Sequence, residues 1–284
     1  MIEKPLTSID SYIAYFSQQA LPVLRSTVRE LDELRADEEN VSGRRLAAVV
    51  LSDPLMTLRV LSYLETHRGV QQNHDITTIE RAIMMLGVSP FFAKFSDLPT
   101  VEAQLARHPR ALLGVLQVIG RARRAANWAH DWAIIRHDLD VDEVTVAALL
   151  HDAAEILCGC FAPTLMLQIA QTLQAQPGLR SATAQKDLLG FTMYELQFAL
   201  VKAWRLPELL ITLMDDTNAA SPRVRNVVLA TRLARHAAKT WHDPALPDDY
   251  TDISELLHMS VEQLVHRLGV PEDAPIRKDG GSAA

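Results

Sequence analysis

The chain has 284 residues, of which 48% are hydrophobic and 22% are charged, and its formal net charge is −7. This length allows one large domain or two small ones with a substantial core. The acidic balance argues against a general affinity for nucleic acids or anionic membrane surfaces, because both attract basic proteins.

The cysteine pattern indicates a reducing compartment. Cys158 and Cys160 are too close in sequence for an ordinary disulfide, and no other cysteine is available as a partner. Such sparse cysteine usage fits the cytosol. The N-terminal segment has no signal-peptide pattern, and no apolar run is expected to be long enough to cross a bilayer. We therefore expect a soluble cytoplasmic protein.

The first part of the chain is predicted to be helical throughout. Its apolar residues have helical spacing, and no sustained alternation with a period of two predicts a strand. One helix is expected within residues 1–19. Asp53-Pro54 places an N-cap residue directly before proline at the first helical position of another helix. Thr77 to Glu80 has the spacing of a capping box, with Thr77 as the N-cap, and the polar residues 68–75 before it are expected to form a loop.

The stretch from Val144 to Cys158 is the most informative part of the sequence. Its small and aliphatic residues recur at helical spacing, which predicts one continuous apolar helix with His151 and Asp152 at its centre. A charge beside a core-facing helix surface costs several kcal/mol unless it is paired or binds a metal. The pair is therefore a working metal site, a remnant of one, or a buried polar pair.

The helices are predicted to form two packed sub-bundles in an all-α fold, residues 20–108 and residues 109–242. A long helix from about 109 to 137 opens the second. Residues 243–270 are expected to form a C-terminal helical extension. The tail, residues 271–284, has no apolar face, and we expect it to be disordered.

Several segments together resemble a known family. They are SDPLMTLRVLSYL at 52–64, ITTIERAIMMLGV at 76–88, LDVDEVTVAALLHDAAEIL at 139–157 and DLLGFTMYELQFALVKAWRLPELL at 187–210. They are similar to the HDOD family over residues 20–242. The resemblance implies an HD-domain-like fold, with an N-terminal helical bundle packed on a bundle related to HD-type phosphohydrolases. It also implies a role in bacterial regulation without enzymatic activity.

The resemblance implies that the metal site is degenerate. An HD-type hydrolase needs a His on the preceding helix, the His-Asp doublet and a later Asp, often with further His residues, to hold a metal that activates water. Only His151 and Asp152 match this pattern. The upstream His position carries Gln117 or Val118, the later Asp position carries Thr231, positions that are often His carry Met193, Thr217 and Asn218, and Ala154-Glu155 replaces a Gly-Lys pair.

We therefore interpret His151 and Asp152 as vestigial. The expected arrangement is a buried polar pair, with His151 neutral and Asp152 accepting hydrogen bonds from helix ends or arginines. No catalytic residue, bound metal or cofactor is expected. The alternative is that the doublet still binds a metal.

Arginines near the doublet are the remaining candidates. Arg121 and Arg124 on the long helix, and Arg232 on a later one, could bind an anionic ligand such as a nucleotide or a phosphorylated partner. The simpler alternative is that they lie on solvated helix faces and pair with the abundant acids. No aromatic residues are interspersed with them, as base stacking would require.

The sequence thus predicts a non-catalytic regulatory or scaffold protein of bacterial signal transduction that acts by binding a signalling protein. The alternative is a metal-dependent HD-type phosphohydrolase acting on a nucleotide or cyclic dinucleotide, which requires at least three His or Asp side chains around the doublet. A nucleotide-binding sensor without hydrolysis is a third possibility. Neither a membrane nor a nucleic acid is expected as a partner.

Overall fold

The computed structural model describes residues 1–66 and 77–276, and this part of the chain contains seventeen α-helices, two short 3-10 helices and no strand. A single parallel backbone bridge joins Val23 to Thr100. The all-α prediction is confirmed. The predicted loop at 68–75 and residues 277–284 of the predicted tail lie outside the described residues.

The N-terminal half contains helices α1 to α7. Asp53 is fully buried there and fixes two helix starts at once. Its Oδ1 accepts hydrogen bonds from the N–H groups of Leu55 (2.9 Å) and Met56 (3.2 Å), as the predicted N-cap should. Its Oδ2 accepts from the Leu24 N–H at 2.7 Å and the Thr27 hydroxyl at 2.9 Å. The seven helices span Ile9–Ser17, Arg25–Arg35, Gly43–Leu51, Pro54–Thr66, Ile79–Leu86, Val88–Lys94 and Val101–Gln104.

The second half is built around one long helix, α8, which packs against α9, α10 and α15. The C-terminal extension, α16 and α17, packs on α15 and on itself. The ten helices α8 to α17 span Pro109–Ile135, Val141–Leu150, Ala153–Phe161, Pro163–Ala175, Ser181–Leu189, Met193–Ala203, Glu208–Leu213, Pro222–His236, Leu246–Leu257 and Val261–Leu268.

The N-terminal helix, α1, packs on the second half rather than on the bundle that follows it in sequence. It contacts α13, and its aromatic rings meet those of the second half. The centroids of Phe16 and Phe161 are 5.8 Å apart, and those of Tyr12 and Phe191 are 5.2 Å apart. One continuous hydrophobic core therefore includes both halves and the N-terminal helix.

The predicted helix from Val144 to Cys158 is not continuous. It divides into α9, which ends at Leu150, and α10, which begins at Ala153, so His151 and Asp152 lie at a junction between two helices. The apolar spacing continues through the junction because both helices are buried, and the periodicity therefore gave no sign of the break. The prediction that the doublet lies in mid-helix was wrong.

The predicted capping box before α5 is shifted by one residue. Thr78 is the N-cap, and its side chain accepts a hydrogen bond from the Arg81 N–H. Thr77 instead donates its hydroxyl to the Glu143 carboxylate of α9 at 2.6 Å. This hydrogen bond joins the two halves of the molecule.

The start of the predicted tail is packed against the fold. The Ala274 N–H donates to the Pro271 carbonyl at 3.0 Å, and the Ala274 side chain is buried. Ile276 packs against the core. Residues 271–276 thus differ from the disorder expected for them.

One helical stretch in the described residues is long and apolar enough to span a membrane, contrary to the expectation from the sequence. It is Val141–Phe161, but 78% of its most apolar window is buried inside the fold. The pair Gly43–Leu51 and Pro54–Glu65 reaches that length only if both helices are counted together, and they are bent by 120° at their junction. The Val141–Phe161 stretch is therefore mainly part of the core of the fold.

The closest approach between α8 and α10 depends on Gly159. A Cβ atom at this position would lie well inside van der Waals contact with Val115 Cγ2. We expect Gly159→Ala to reduce the free energy of unfolding by about 1–3 kcal/mol, because a packed core resists an added methyl group. Gly120→Ala is the matched control on α8, since a Cβ there meets nothing within 4 Å.

Urea denaturation measures both substitutions. Gly120→Ala should stabilise the protein by up to about 1 kcal/mol, because alanine is the better helix former. The combination of Gly159→Ala with Val115→Ala should recover part of the loss, since it removes the clashing methyl group. Equal stability of Gly159→Ala and the wild type would contradict the close approach.

Candidate functional site at the junction of two helices

His151 and Asp152 each lie at the helix end that suits their charge. His151 is the C-cap of α9 and Asp152 is the N-cap of α10. The backbone dipoles make a helix C-terminus favourable for a cation and an N-terminus favourable for an anion. The junction therefore stabilises a protonated imidazole next to a carboxylate.

Gln197 satisfies backbone groups that the helix break leaves unpaired. Its amide nitrogen donates to the Leu150 carbonyl at 2.9 Å, and its amide oxygen accepts from the Ala154 N–H at 2.7 Å. The side chain is buried, where unpaired backbone groups would be costly. Gln197, on α13, thus holds the end of α9 next to the start of α10.

Asp152 is bound by two arginines. Arg121 of α8 approaches Oδ2 with Nε at 2.9 Å and Nη2 at 2.7 Å, and Arg235 of α15 approaches Oδ1 with Nη2 at 3.1 Å. Arg121 also bonds to Glu155 at 2.7 Å. The side chains of Asp152 and Arg121 are only 8% and 12% exposed, so this is a buried ion-pair network.

His151 contacts a second carboxylate on its other side. Its Nε2 lies 3.0 Å from Asp216 Oδ1, while its Nδ1 lies 3.5 Å from Asp152 Oδ1. Tyr194 positions this second carboxylate, because its hydroxyl accepts from the Asp216 N–H and donates to the neighbouring Asp215. The imidazole therefore lies between two carboxylates.

The surrounding charges determine the protonation of the doublet. Burial alone lowers the pKa of His151, but the hydrogen bonds and charges of Asp152 and Asp216 outweigh burial and raise the pKa to about 9. Burial alone raises the pKa of Asp152, whereas the charges of Arg121 and Arg235 hold it well below its usual range. These shifts favour an imidazolium at neutral pH, in contrast to the neutral His151 expected from the sequence.

This set of donors does not fit the metal that an HD-type site implies. Both oxygens of Asp152 accept from guanidinium groups, and Nε2 of His151 is bonded to Asp216. Arg121 and Arg235 supply, at this carboxylate, the positive charge that a metal would bring. Within residues 1–66 and 77–276, no three His, Cys, Asp or Glu side chains are grouped so that they could hold a metal ion.

A cleft of about 1230 Å³ opens beside the doublet, between α8, α11, α12 and α15. His151, Asp152 and Asp216 line it, as do two of the three arginines considered from the sequence, Arg121 and Arg124. Arg232 is not among the lining residues. It binds Asp249 and Asp252 of the C-terminal extension, with 2.6 Å from its Nε to Asp249.

The residues at the positions of the lost ligands have separate roles. Thr231 donates its hydroxyl to the Val227 carbonyl of its own helix at 2.9 Å. Thr217 and Asn218 both donate to Asp215 in the short turn before α15. The others line the cleft, namely Gln117, Val118 and Met193.

Sequence reasoning missed Asp216, Tyr194 and Gln197 as parts of the site. Asp216 directly precedes Thr217-Asn218, the positions at which the family resemblance implies histidines. Because histidines were expected there, the neighbouring carboxylate was not considered. No pattern in the sequence connects these residues or Arg235 with the doublet, because each lies more than 40 positions from it.

The two helical halves and the His-Asp doublet at a helix junction define an all-α fold related to HD domains. The chain belongs to the HDOD domain family, whose profile it matches over residues 21–220. A comparison with curated protein sequences finds no significant match.

Solved structures agree with this assignment. The MmoQ response regulator of Methylococcus capsulatus strain Bath aligns with a TM-score of 0.64 and 17% identity, over 88% of this chain and 98% of that one. A virulence factor of Campylobacter jejuni aligns with a TM-score of 0.64 and 19% identity, over 95% and 94%. At these identities the likeness shows the fold.

Proposed function

We propose that this protein is a non-catalytic regulator or scaffold of bacterial signal transduction, located in the cytoplasm, that acts by binding another protein. The observation that carries the proposal is the occupation of both Asp152 oxygens by the guanidinium groups of Arg121 and Arg235. A carboxylate neutralised in this way is a poor metal ligand, because a metal would have to displace two charge-assisted pairs. Membership of the HDOD family supports a role in signalling.

The surface of α8 supports binding to a partner protein. Leu113 and Leu116 are 59% and 38% exposed on one side of this helix, three residues apart. Exposed aliphatic side chains on neighbouring turns are common at protein interfaces. We expect the partner to be a signalling protein, because the proposed role rests on membership of the HDOD family.

The alternative is a metal-dependent HD-type phosphohydrolase acting on a nucleotide or cyclic dinucleotide. Two features favour it: the cleft beside the doublet, and Asp216 as a second carboxylate in contact with His151. The ion pairs at Asp152 oppose it, since they leave no free carboxylate oxygen for a metal.

Metal content and turnover distinguish the two functions. We expect the full-length protein, after dialysis against Mn²⁺ and gel filtration, to retain no stoichiometric metal. We also expect no hydrolysis of bis-p-nitrophenyl phosphate or a cyclic dinucleotide beyond that of a sample treated with a chelator. One metal per chain, together with turnover that the chelator abolishes, would establish the phosphohydrolase instead.

Crosslinking in the source bacterium tests the regulatory function directly. The full-length chain and its Leu113→Glu/Leu116→Glu variant would be recovered and the crosslinked proteins identified by mass spectrometry. We expect a signalling protein, such as a sensor kinase, a response regulator or a cyclic-dinucleotide enzyme, to be enriched with the wild type. Enrichment of no such protein would count against the proposed function.

A further inference from the structure

The cleft beside the doublet is large enough for a small molecule. Its volume of about 1230 Å³ is above the range of about 300–1,000 Å³ that is typical of ligand sites. The buried ion-pair network of Arg121 and Asp152 forms part of its wall. The rest of the wall comes from helices that carry aliphatic side chains.

Three arginine and lysine side chains line this cleft without an ion-pair partner among the described residues, namely Arg110, Arg124 and Lys239. Arg110 lies at the start of α8, whereas Arg124 and Lys239 follow Arg121 and Arg235 closely in sequence. Asp243 is a carboxylate of the same wall, and its Oδ1 accepts a hydrogen bond from the Ala245 N–H.

Arg124 lies one helical turn beyond Arg121 on α8, and Lys239 lies in the turn after α15, three residues beyond its last residue, His236. Since Arg121 binds Asp152, the helical spacing places Arg124 near the doublet end of the cleft. Lys239 lines the same cleft and follows Arg235, the second arginine that binds Asp152, by four residues.

The charge of this end differs from that of the whole molecule. The chain has a net charge of −7, so its carboxylates outnumber the lysines and arginines that could pair with them. The network at the doublet is itself balanced, because Arg121, Arg235 and His151 meet the carboxylates of Asp152, Glu155 and Asp216. The excess positive charge of the wall therefore comes from the unpaired basic side chains. Unpaired cations in the concave part of an acidic protein attract an anion.

Much of the remaining wall is aliphatic, beside polar side chains such as Gln117 and Gln185. Val115 of α8, Met166, Ile169 and Leu173 of α11, and Leu179 before α12 line the cleft. Apart from histidines, Tyr194 is the one aromatic side chain in the described wall, and one face of its ring is stacked on Phe198. The cleft therefore lacks the stacking surface that nucleobases use and suits a flexible apolar chain.

Two glycines of α8 provide an independent observation. Gly114 and Gly120 lie between the two ends of α8 and line the cleft. A Cβ atom at either position would meet nothing within 4 Å. Each costs about 1 kcal/mol of helix stability relative to alanine. No contact within the protein requires them, so the effect of their missing side chains is to widen the cleft.

From these observations we propose that the cleft binds a small anionic amphiphile, a phosphate or carboxylate group on an aliphatic chain. The anionic group lies at Arg124 and Lys239, and the chain lies along the aliphatic side chains of α8 and α11. The proposal goes beyond the proposed regulatory function, which requires an outer surface but no ligand. It differs from a nucleotide site, because the body of the ligand is aliphatic.

Isothermal titration of the full-length protein with defined probes tests the class of ligand. The probes are octyl phosphate and octanoate, each below its micelle concentration, with octanol, inorganic phosphate and AMP as comparisons. We expect at least one of the two amphiphiles to bind at least tenfold more tightly than all three comparisons. The ratio of octyl phosphate to octanoate identifies the anionic group.

Two variants test the location of the site. Gly114→Leu fills the cleft with an aliphatic side chain and should weaken binding at least tenfold without lowering the melting temperature. Arg124→Gln/Lys239→Gln should also weaken it at least tenfold, whereas Arg267→Gln, an exposed arginine on α17, is the charge control and should leave it unchanged. Binding that is lost while the fold is as stable as before cannot be attributed to unfolding.

Three results would overturn the proposal. They are octanol binding as tightly as the amphiphiles, AMP binding more tightly than both, or Gly114→Leu binding as tightly as the wild type. Recovery of intact octyl phosphate after incubation separates this test from that of the proposed function. If the probe binds and is hydrolysed, the ligand site stands and the non-catalytic function fails.

Discussion

Asp152→Asn is expected to lower the free energy of unfolding by about 3–5 kcal/mol, because it removes one partner of a buried ion-pair network. The carboxylate is 8% exposed and is approached by Arg121, Arg235 and the imidazolium of His151. The asparagine side chain has nearly the same shape as the aspartate side chain but carries no charge. The three cations would then face one another with only Glu155 and Asp216 as remaining partners.

The direction of this change distinguishes an ion-pair network from a metal site. In a metal-free metal site, neighbouring carboxylates repel one another, and neutralising one of them leaves stability unchanged or raises it. At Asp152 the neighbours are cations, so the same substitution should destabilise. Urea denaturation in the presence of a chelator measures the difference without interference from metal.

Glu33→Gln is the matched control. Glu33 pairs with Arg29 at 3.8 Å on the surface, where both side chains are about 70% exposed, and such pairs contribute less than about 1 kcal/mol. A double-mutant cycle of Asp152→Asn with Arg121→Gln gives the coupling between the two partners. Unchanged or increased stability of Asp152→Asn would contradict the ion-pair network and would support a metal site at the doublet instead.

The sequence predicted the fold well where helices carry local signals. Asp53 before Pro54 caps a helix as expected, because the N-cap hydrogen bonds are made within three residues. Thr77 shows that local signals do not fix the exact residue at which a helix begins. Two adjacent threonines can each begin the same helix, and the hydrogen bond from Thr77 to Glu143, 66 positions away, selects Thr78 as the cap.

The helix break at His151 and Asp152 was not predictable from local sequence. No proline or glycine lies at the junction, and apolar residues continue on both sides. The break is stabilised by Gln197, whose side chain bonds to backbone groups on each side of it. Such a partner is recognisable only when α13 is seen to pack on α10.

The charges of the site were predicted only in part. The sequence suggested that arginines could bind Asp152, and Arg121 and Arg235 do so. It did not suggest that His151 carries a proton, because the raised pKa of His151 depends on Asp152 together with a second carboxylate, Asp216, at 3.0 Å. With this residue included, three cations and three carboxylates meet at the junction, which is how so many charges are accommodated beside the core.

The protonated state of His151 predicts a loss of stability at alkaline pH. Its pKa in the folded protein is about 9, above the ordinary value of 6.5, so the folded state binds the proton more tightly than the unfolded state does. The resulting stabilisation is complete below pH 6.5 and disappears as the pH rises through 9. For a shift of this size it amounts to about 3 kcal/mol.

Urea denaturation of the wild type and His151→Gln from pH 6 to pH 10 measures this contribution. Burial raises the pKa of the Cys158 and Cys160 thiols, which lowers stability above about pH 9 in both proteins, so the difference between the two profiles isolates His151. That difference should shrink by about 3 kcal/mol between pH 6 and pH 10.

Titration of the imidazole by NMR gives the pKa of His151 directly and identifies the group that raises it. Asp216→Asn should bring that pKa down, because it removes the carboxylate bonded to Nε2, and the pH range of the stability loss should move down with it. Parallel stability profiles of the wild type and His151→Gln would show that the imidazole is neutral. Asp152 would then be balanced by the arginines alone.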